Sequence, residues 1–515
     1  MKNKTVLIAF VLTAMLIACG RPTVPDSYQT ESRPPKLMPD YTDVTVPANI
    51  CPLNFRVYEV GKQVAVRISV GDLQYTYGDG MKVLIDEAEW NTLLERAKGG
   101  SMKVEVFVDE GNQWKAYQPF CINVAKDDID PYISYRLIQP SYVAYNALTI
   151  AQRNLTNYDE TDIYSNTLVT TPEVGQCINC HSYQNYRTDH MMFHMREGFP
   201  GTMIVEGNQL KKVDLKTPEI ISSGVYPAWH PTQNLIAFST NLIGQSFHTK
   251  NVAKVEVQDK ESDLILYDVA KDEVFTISND SNELETFPTW SADGNTLYYC
   301  SAHFEYENSL PQNPSLEEER IDEGKDGEII QRYQKLHYNI YARDFNQQTH
   351  TFGEPRIIFD AAAENKSATL PRVSPDGKYM VFSLGNFGCF HVWHAEADIW
   401  LLNLETLEAQ NLEALNSDRS DSYPSFSSNG RWVMTASRRD DNNYTRPYIA
   451  YFDAQGKCHK AFELPQRDPE FYTLFLRSYN RPEFMKEPVN IAPEQFAAEA
   501  KKDARKVKYV TAPND

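Results

Sequence analysis

The sequence lacks the features of several common classes of protein. Lys and Arg number 50 against 70 Asp and Glu, a formal net charge of −20, and so acidic a chain is repelled by nucleic acid and by anionic lipid headgroups. No Gly-x-Ser-x-Gly occurs, so the nucleophile elbow of many hydrolases is absent. After the first 20 residues no apolar stretch is long enough to cross a bilayer. These absences exclude a nucleic-acid-binding protein and a protein that spans the membrane with helices.

The first residues predict export. Lys2 and Lys4 precede an apolar stretch, Val6–Ile17, that is too short for a permanent membrane span but has the length of a signal peptide. The stretch ends in Leu-Ile-Ala-Cys, which resembles the lipobox of bacterial lipoproteins. By this resemblance residues 1–18 are a signal peptide and Cys19 is the lipid-modified first residue. The alternative is an ordinary signal followed by an incidental cysteine.

Residues 19–40 contain five prolines and little aliphatic bulk, so we predict an extended tether between the anchor and the folded body. Gly20 stands where Asp would favour retention in the inner membrane. We therefore expect an outer-membrane lipoprotein that faces the periplasm, with surface exposure as the alternative.

Residues 41–137 alternate apolar and polar residues in runs such as "VAVRISV" and "KVEVFVD". This period marks half-buried strands, and we predict a small β-sandwich of immunoglobulin or fibronectin type. The run from Glu87 to Lys98, which ends at two glycines, predicts one inserted helix. Because exported proteins can form disulfides, we favour a bridge between Cys51 and Cys121, although spacing leaves other pairings open.

A repeated unit begins at Tyr226. Its four copies are "YPAWHPTQNLIAFST" at Tyr226, "FPTWSADGNTLYYCS" at Phe287, "LPRVSPDGKYMVFSL" at Leu370 and "YPSFSSNGRWVMTAS" at Tyr423. Each copy reads as a proline, a strand, a tight turn typified by Asp-Gly or Asn-Gly, and a second strand. Four-stranded units in series are the blades of a β-propeller. We predict five or six blades over residues 203–485, closed by "TMIVEG" and "NQLKKVDL" together with "FYTLFL", and a tail over 486–515.

The repeats resemble those of TolB-type propellers, whose signature here is "WSADG" and "SPDG". The resemblance covers about residues 224–464. It implies a fold and no function, because propellers of one type serve many roles.

The five residues "CINCH" at 177–181 carry the most specific chemistry. C-x-x-C-H is the attachment signature of c-type haem: two thiols bond the two vinyl groups of one porphyrin, and the histidine becomes the proximal iron ligand. We therefore predict one haem c held by Cys177, Cys180 and His181. Residues 138–202, with the helical run "SYVAYNALTIAQRNL", would form a separate segment of helix and loop whose core is the haem.

Rival interpretations remain open. Zinc could use the same three residues, but no second Cys pair or His pair lies at finger spacing. A thioredoxin-like redox pair requires a βαβ setting that is absent, and chance occurrence is the third alternative. His391 and His394 in "FHVWH" could form a second site, and we favour hydrogen-bonded loop histidines instead.

The second axial ligand of a haem iron could come from "HMMFHMREG", which offers His190, His194 and Met195. For each residue, packing at a domain interface is the competing explanation.

The chain resembles exported lipoproteins of Bacteroidetes type that combine one C-x-x-C-H segment with a TolB-like propeller. The matching pieces are "NICPLNF" at Asn49, "IAQRNL" at Ile150, "CINCHS" at Cys177, "FHMREG" at Phe193, "GTMIV" at Gly201, "VYPAWHP" at Val225 and "NFGCFHVWHAEADIWLLNL" at Asn386. The resemblance implies His181 as proximal and His194 as distal ligand, with Arg196 as a partner of a haem propionate.

The combined features favour an envelope-anchored monohaem cytochrome whose propeller docks an envelope protein or redox partner. Its function would be one-electron transfer or haem-linked sensing, and we expect a binding or electron-transfer protein more than an enzyme. The alternative is a non-catalytic scaffold or assembly factor in which any haem is structural. A haem peroxidase, which requires an open distal site and an acid-base residue, is the third possibility.

Overall fold

The computed structural model describes residues 22–139, 147–171, 173–251, 253–306 and 325–513. The signal peptide, Cys19 and most of the acidic insertion after Asn313 lie outside these residues. The described chain is mostly β-strand, as predicted, and its strands form an N-terminal unit and a β-propeller-like ring. No helix within the described ranges is long and apolar enough to cross a membrane.

The N-terminal unit contains a seven-stranded sheet, a three-stranded sheet and one helix. The large sheet comprises Gln29–Thr30, Thr45–Val46, Gln63–Val70, Leu73–Tyr77, Ser101–Asp109, Trp114–Ala116 and Phe120–Val124. The small sheet comprises Leu37–Met38, Phe55–Val57 and Lys82–Val83. The predicted helix is confirmed as Glu87–Ala97, because the Asp86 carboxylate accepts hydrogen bonds from two amides of its first turn and Trp90, Leu93 and Leu94 are buried.

Two predictions for this unit are wrong. The tether was expected to extend to residue 40, but the chain joins the large sheet at Gln29–Thr30 and the small sheet at Leu37–Met38. The bridge between Cys51 and Cys121 is absent, and all seven described cysteines are free thiols. Phe120 and Ile122 point into the core, so Cys121 between them points away from it, whereas Cys51 is buried.

The other strands of the described chain form six antiparallel units of four main strands, here called blades 1 to 6, of which blades 3 and 4 are joined in one larger sheet by a single parallel bridge, Ser262 to Leu284. Blade 1 comprises Ser478–Met485, Tyr132–Ile138, Thr149–Asn154 and Glu160–Ser165; blade 2 comprises Gln176–Gln184, Arg187–Glu197, Gly201–Glu206 and Gln209–Asp214; blade 3 comprises Gly224–Trp229, Leu235–Phe247, Val255–Asp268 and Glu273–Ser278. Blade 4 comprises Glu283–Trp290, Thr296–His303, Asn339–Asn346 and Arg356–Phe359 with a short addition at Thr351–Phe352; blade 5 comprises Ser367–Val373, Tyr379–Gly385, Asp398–Asn403 and Ala409–Asn411; blade 6 comprises Asp421–Phe426, Trp432–Ser437, Arg446–Tyr451 and Phe462–Glu463.

The innermost strands of the six blades form a closed ring, since each contacts the innermost strand of the next blade. In five blades this strand carries a proline that lines a narrow central channel: Pro227, Pro288, Pro371, Pro424 and Pro482. The residue before each proline has a positive φ, from 47° to 56°, and in blades 3 to 6 the strand register shifts at this point. Proline is accommodated at the bulge because the strand pairing is interrupted there and proline has no N–H to pair.

The ring closes through blade 1, which both ends of the chain build. The innermost strand, Ser478–Met485, pairs antiparallel with Tyr132–Ile138. The predicted closure is therefore wrong: Gly201–Glu206 and Gln209–Asp214 belong to blade 2, and "FYTLFL" contains a short helix, Phe471–Leu474.

The helix predicted in "SYVAYNALTIAQRNL" is also wrong in its described part. Thr149–Asn154 is a strand, because it pairs on one side with Tyr132–Ile138 and on the other with Glu160–Ser165. An apolar run of this length fits either structure, and neighbouring strands decide between them. Residues 141–146 lie outside the described part.

The C-terminal tail is folded. Helix Pro493–Ala500 packs on blades 1 and 2, and strands Arg505–Lys506 and Lys508–Tyr509 add to the outer edges of blades 2 and 3. Three basic residues of the tail, Arg505, Lys506 and Lys508, lie in these two strands.

The closing strand should contribute more to stability than the short helix before it. Phe484 is buried in the core that blade 1 shares with the N-terminal unit, so Phe484→Ala should lower the free energy of unfolding by about 3–5 kcal/mol. Leu474 is 86% exposed, and Leu474→Ala should change it by less than about 0.5 kcal/mol. Urea titration of both variants measures the difference. Equal effects would contradict closure through Ser478–Met485.

Candidate functional site

The C-x-x-C-H motif lies in the innermost strand of blade 2, Gln176–Gln184. Cys180 has a φ of 54°, and the register with the next strand shifts between Asn179 and Ser182. Cys180-His181 therefore occupies the position that an Xaa-Pro pair occupies in the other five blades. The separate segment of helix and loop predicted for residues 138–202 is wrong, because these residues supply the strands of blades 1 and 2.

The bulge at Cys180 changes where the thiols point. In a regular strand, side chains three residues apart lie on opposite faces. With the extra residue in the strand, Cys177, Cys180 and His181 all line one cavity. The bulge thus brings both thiols and the imidazole to one cavity.

The cavity has a volume of about 290 Å³ and lies at one end of the ring, near the lower limit for small-molecule pockets. Its apolar walls come from the hairpin of blade 3 and from a loop of blade 5: Ile243, Phe247, Val255, Val257, Phe390 and Val392. Tyr226 and Tyr423, the residues before two of the channel prolines, also line it.

His181 is fully buried, and neither of its ring nitrogens has a hydrogen-bond partner among the described residues. Burial lowers the pKa of His181 to about 4, so the imidazole is neutral at pH 7. Leaving a buried polar atom without a partner costs about 1–3 kcal/mol. A neutral imidazole nitrogen is also the commonest protein ligand of metals, and a bond to iron would satisfy it.

The lining of the cavity is basic. It includes Arg136, Arg196, Arg438 and Arg481, and none of the described lining residues is Asp or Glu. Glu483, behind the wall, accepts hydrogen bonds from Arg372 at 2.7 Å and from Arg481 at 3.0 Å. Burial raises the pKa of Glu483, but the two guanidinium groups outweigh it and hold that pKa below its ordinary value. The positive charge in a chain of net charge −20 favours an anionic ligand.

His194 does not line this cavity. It lies opposite Asn179 in the register and on the same face of blade 2 as Met192, which packs toward blade 3. The His181 ring contacts that of Tyr183, 6.1 Å away, and Tyr183 lies on the other face with Met191. The two histidines thus lie on adjacent strands of blade 2, but only His181 lines the cavity.

The alternative axial residues are also outside the described lining. Met195 is buried in an apolar cluster with Ile178 and Phe193. His190 is near the strand end, with Nδ1 3.2 Å from an oxygen of Asp189.

Arg196, by contrast, reaches the cavity, and its Nη2 lies 3.6 Å from Cys177 Sγ.

No three His, Cys, Asp or Glu side chains in the described ranges come together as a metal site.

The histidines of "FHVWH" lie beside the cavity, in the loop that carries Trp393. The Nδ1 atom of His391 is 3.0 Å from Thr369 Oγ1, and Nε2 of His394 is 2.7 Å from the buried carboxylate of Glu256. This arrangement fits the preferred interpretation of hydrogen-bonded loop histidines.

No protein-family model and no curated protein matches this chain. Solved structures that resemble it include tricorn protease (11% identity, TM-score 0.32, 68% of this chain and 32% of that one). A puromycin-hydrolysing peptidase of Mycobacterium tuberculosis is 11% identical, with a TM-score of 0.35 over 82% of this chain and 57% of that one. A periplasmic gluconolactonase of Pseudomonas aeruginosa is 10% identical, with a TM-score of 0.32 over 69% of this chain and 100% of that one.

This chain thus spans about a third of the length of tricorn protease and little more than half of that of the peptidase. The likenesses are too distant to transfer an activity, a substrate or a residue role.

Buried histidines should make the stability depend on pH. Burial lowers the pKa of His391 to about 3, below its value of about 6.5 in an unfolded chain. The contribution of neutral His391 to the free energy of unfolding is complete above pH 6.5. It is lost as the pH falls toward 3, by about 1.4 kcal/mol per pH unit. His391→Gln should reduce this slope between pH 6.5 and 4, as measured by urea unfolding at several pH values.

His303 provides a contrast. A hydrogen bond that His303 donates to the carboxylate of Glu283 raises the pKa of His303 despite some desolvation, so its contribution to stability is complete below pH 6.5 and is lost as the pH rises above it. His303→Gln should therefore leave the slope between pH 6.5 and 4 unchanged and should remove a loss of stability above pH 6.5. A change in the same direction for both variants would contradict the assignment.

Proposed function

We propose that the cavity beside blade 2 holds one c-type haem and that the protein is a monohaem cytochrome acting in one-electron transfer or haem-linked sensing. The observation that carries this proposal is the convergence of Cys177, Cys180 and His181 on one cavity, with both imidazole nitrogens buried and without partners. Attachment would add each thiol S–H across one vinyl group of the porphyrin, forming two thioether bonds. The bound group supplies an iron that cycles between its ferric and ferrous states.

The residues around the motif fit this group in their chemistry. Apolar walls exclude water from a porphyrin face, the arginines suit its propionates, and His181 is neutral and ready to bind iron. A porphyrin fills more space than the cavity offers, so its entry requires an outward movement of the blade 3 hairpin. That hairpin is long, with strands Leu235–Phe247 and Val255–Asp268, and it bears Phe247, which is 52% exposed.

In this proposal the ring is a TolB-like propeller that docks an envelope protein or redox partner. The export signal and Cys19 would anchor the protein to the outer membrane, with the folded body facing the periplasm. The chain is folded from Gln29 onward, so the tether between lipid and body would be about ten residues long, or roughly 30 Å if extended.

A second candidate is a haem-free propeller that binds a partner or ligand as a scaffold or assembly factor. The observation in its favour is that Cys180-His181 fills a structural position held by Xaa-Pro in the other blades, and blade 2 packs on both neighbours through its own apolar side chains. A haem-free purified protein would favour this candidate.

The cofactor is tested by a haem-stained gel and a reduced-minus-oxidised visible spectrum. Protein made in a host that matures cytochromes c should stain and show a sharp α-band, and Cys177→Ser/Cys180→Ser should abolish both signals. Cys121→Ser, a thiol remote from the cavity, is the matched control and should change neither. Absence of haem, or zinc in its place, would overturn the proposal.

The distal ligand is tested with His194→Gln. Because His194 does not line the cavity, we expect the variant to keep the spin state and Soret band of the parent. Conversion of a six-coordinate low-spin spectrum to a high-spin one would restore His194 as the distal ligand.

A further inference from the structure

Arg438 is a buried cation at the edge of the cavity. It follows the blade 6 strand Trp432–Ser437 and is 3% exposed. Its Nε donates to the carbonyl of Val392 at 2.6 Å, and its Nη1 donates to the carbonyl of Asn443. The guanidinium carbon lies 3.3 Å from the ring centre of Trp393. These contacts fix its orientation, but carbonyls and an indole face do not neutralise its charge.

The charge of Arg438 has no anionic partner among the described residues. The nearby carboxylate is that of Asp441, whose Oδ1 accepts the amides of Asn443 and Tyr444 instead. Burial lowers the pKa of Arg438 to about 9, and the attraction of Asp441 offsets this only in part. Buried charges in proteins are normally paired. An anion is therefore the missing partner.

The position of Arg438 shows where that anion would bind. Arg481, another arginine of the lining, already pairs with Glu483, whereas Arg438 lines the cavity beside Val392 and Trp393 of the blade 5 loop. Arg438 follows a strand of blade 6 and the two thiols belong to blade 2, so they reach one cavity from two different blades.

We propose that Arg438, stacked on Trp393, forms a carboxylate-binding subsite in this cavity. Arginine suits a carboxylate because its planar fork can donate two parallel hydrogen bonds. The carboxylate has two possible sources, a haem propionate or a free organic acid, and the first source rests on the proposed function.

For the haem, the structure favours Arg438 over Arg196 as the propionate partner. The propionates project from the side of a porphyrin opposite to its vinyl groups. Arg196 lies 3.6 Å from Cys177 Sγ and so would face the vinyl side, whereas Arg438 is held at Val392 and Trp393, outside the motif strand. We therefore propose Arg438 in place of Arg196 as the propionate partner.

The subsite is tested by calorimetric titration of the full-length haem-free variant Cys177→Ser/Cys180→Ser with succinate. In this background Arg438→Gln should weaken the binding at least tenfold, and Arg438→Lys, which keeps the charge without the fork, should weaken it several-fold. Arg196→Gln should have a smaller effect. Arg96→Gln, at an exposed ion pair of the N-terminal unit, is the control and should have none. If Arg438→Gln fails to fold by circular dichroism, the Lys variant decides.

The haem-loaded protein separates the two sources. Loss of succinate binding on haem attachment would assign the subsite to a propionate, and Arg438→Gln should then lower the midpoint potential because a positive charge near the iron is removed. Retained, Arg438-dependent binding would assign it to a free acid. If the replacement of Arg438 changes neither succinate binding nor the midpoint potential, the proposal is overturned. A chain that matures without haem refutes the proposed function, but the same titration on that chain still tests the subsite.

Discussion

The ring depends on one pairing, that of the strand Ser478–Met485 near the C-terminus with Tyr132–Ile138 from the first third of the chain. Without it, blades 2 and 6 would have no common neighbour, and the innermost strands could not surround an axis. The N-terminal unit supports this pairing, because Tyr135 and Tyr479 belong to the same core as its buried helix and sheet. The N-terminal unit and the ring are therefore joined through the blade that closes the ring.

The ring also determines the site. Six innermost strands converge on one axis, and each bends at a residue with positive φ. Five blades use proline after that residue, whereas blade 2 uses His181. A histidine at this position places an imidazole in a buried environment without hydrogen-bond partners, and the bend turns Cys177 and Cys180 toward the same space. In blade 2, Cys180-His181 thus replaces the Xaa-Pro pair that the other five blades have at the bend.

Blades 3 to 6 could be predicted because each contains a recognisable local sequence repeat. Blades 1 and 2 lack that repeat and were missed. The sequence repeats that begin at Tyr226, Phe287, Leu370 and Tyr423 place a proline and a tight turn close together. Blade 1 has the proline of Arg481-Pro482 but no following turn, because its partner strand comes from the other end of the chain. Blade 2 has the hairpin but histidine in place of proline.

The chemistry of the motif could likewise be predicted from residue types, but the direction of side chains could not. The roles expected for Cys177, Cys180 and His181 need only their spacing, and the structure gathers all three at one cavity. The distal assignment of His194 depended on whether its side chain reaches the cavity, which spacing alone does not show. Arg438 could not be found from the sequence, because its importance depends on burial without a counter-ion.

The central claim, that the motif in blade 2 carries haem, is tested most directly by mass spectrometry of the tryptic peptide from residue 154 to 187, which contains both motif thiols. From protein matured in a cytochrome c-competent host, the account predicts that this peptide carries the mass of one haem. A peptide with two free thiols, or with a bridge between Cys177 and Cys180, would contradict it.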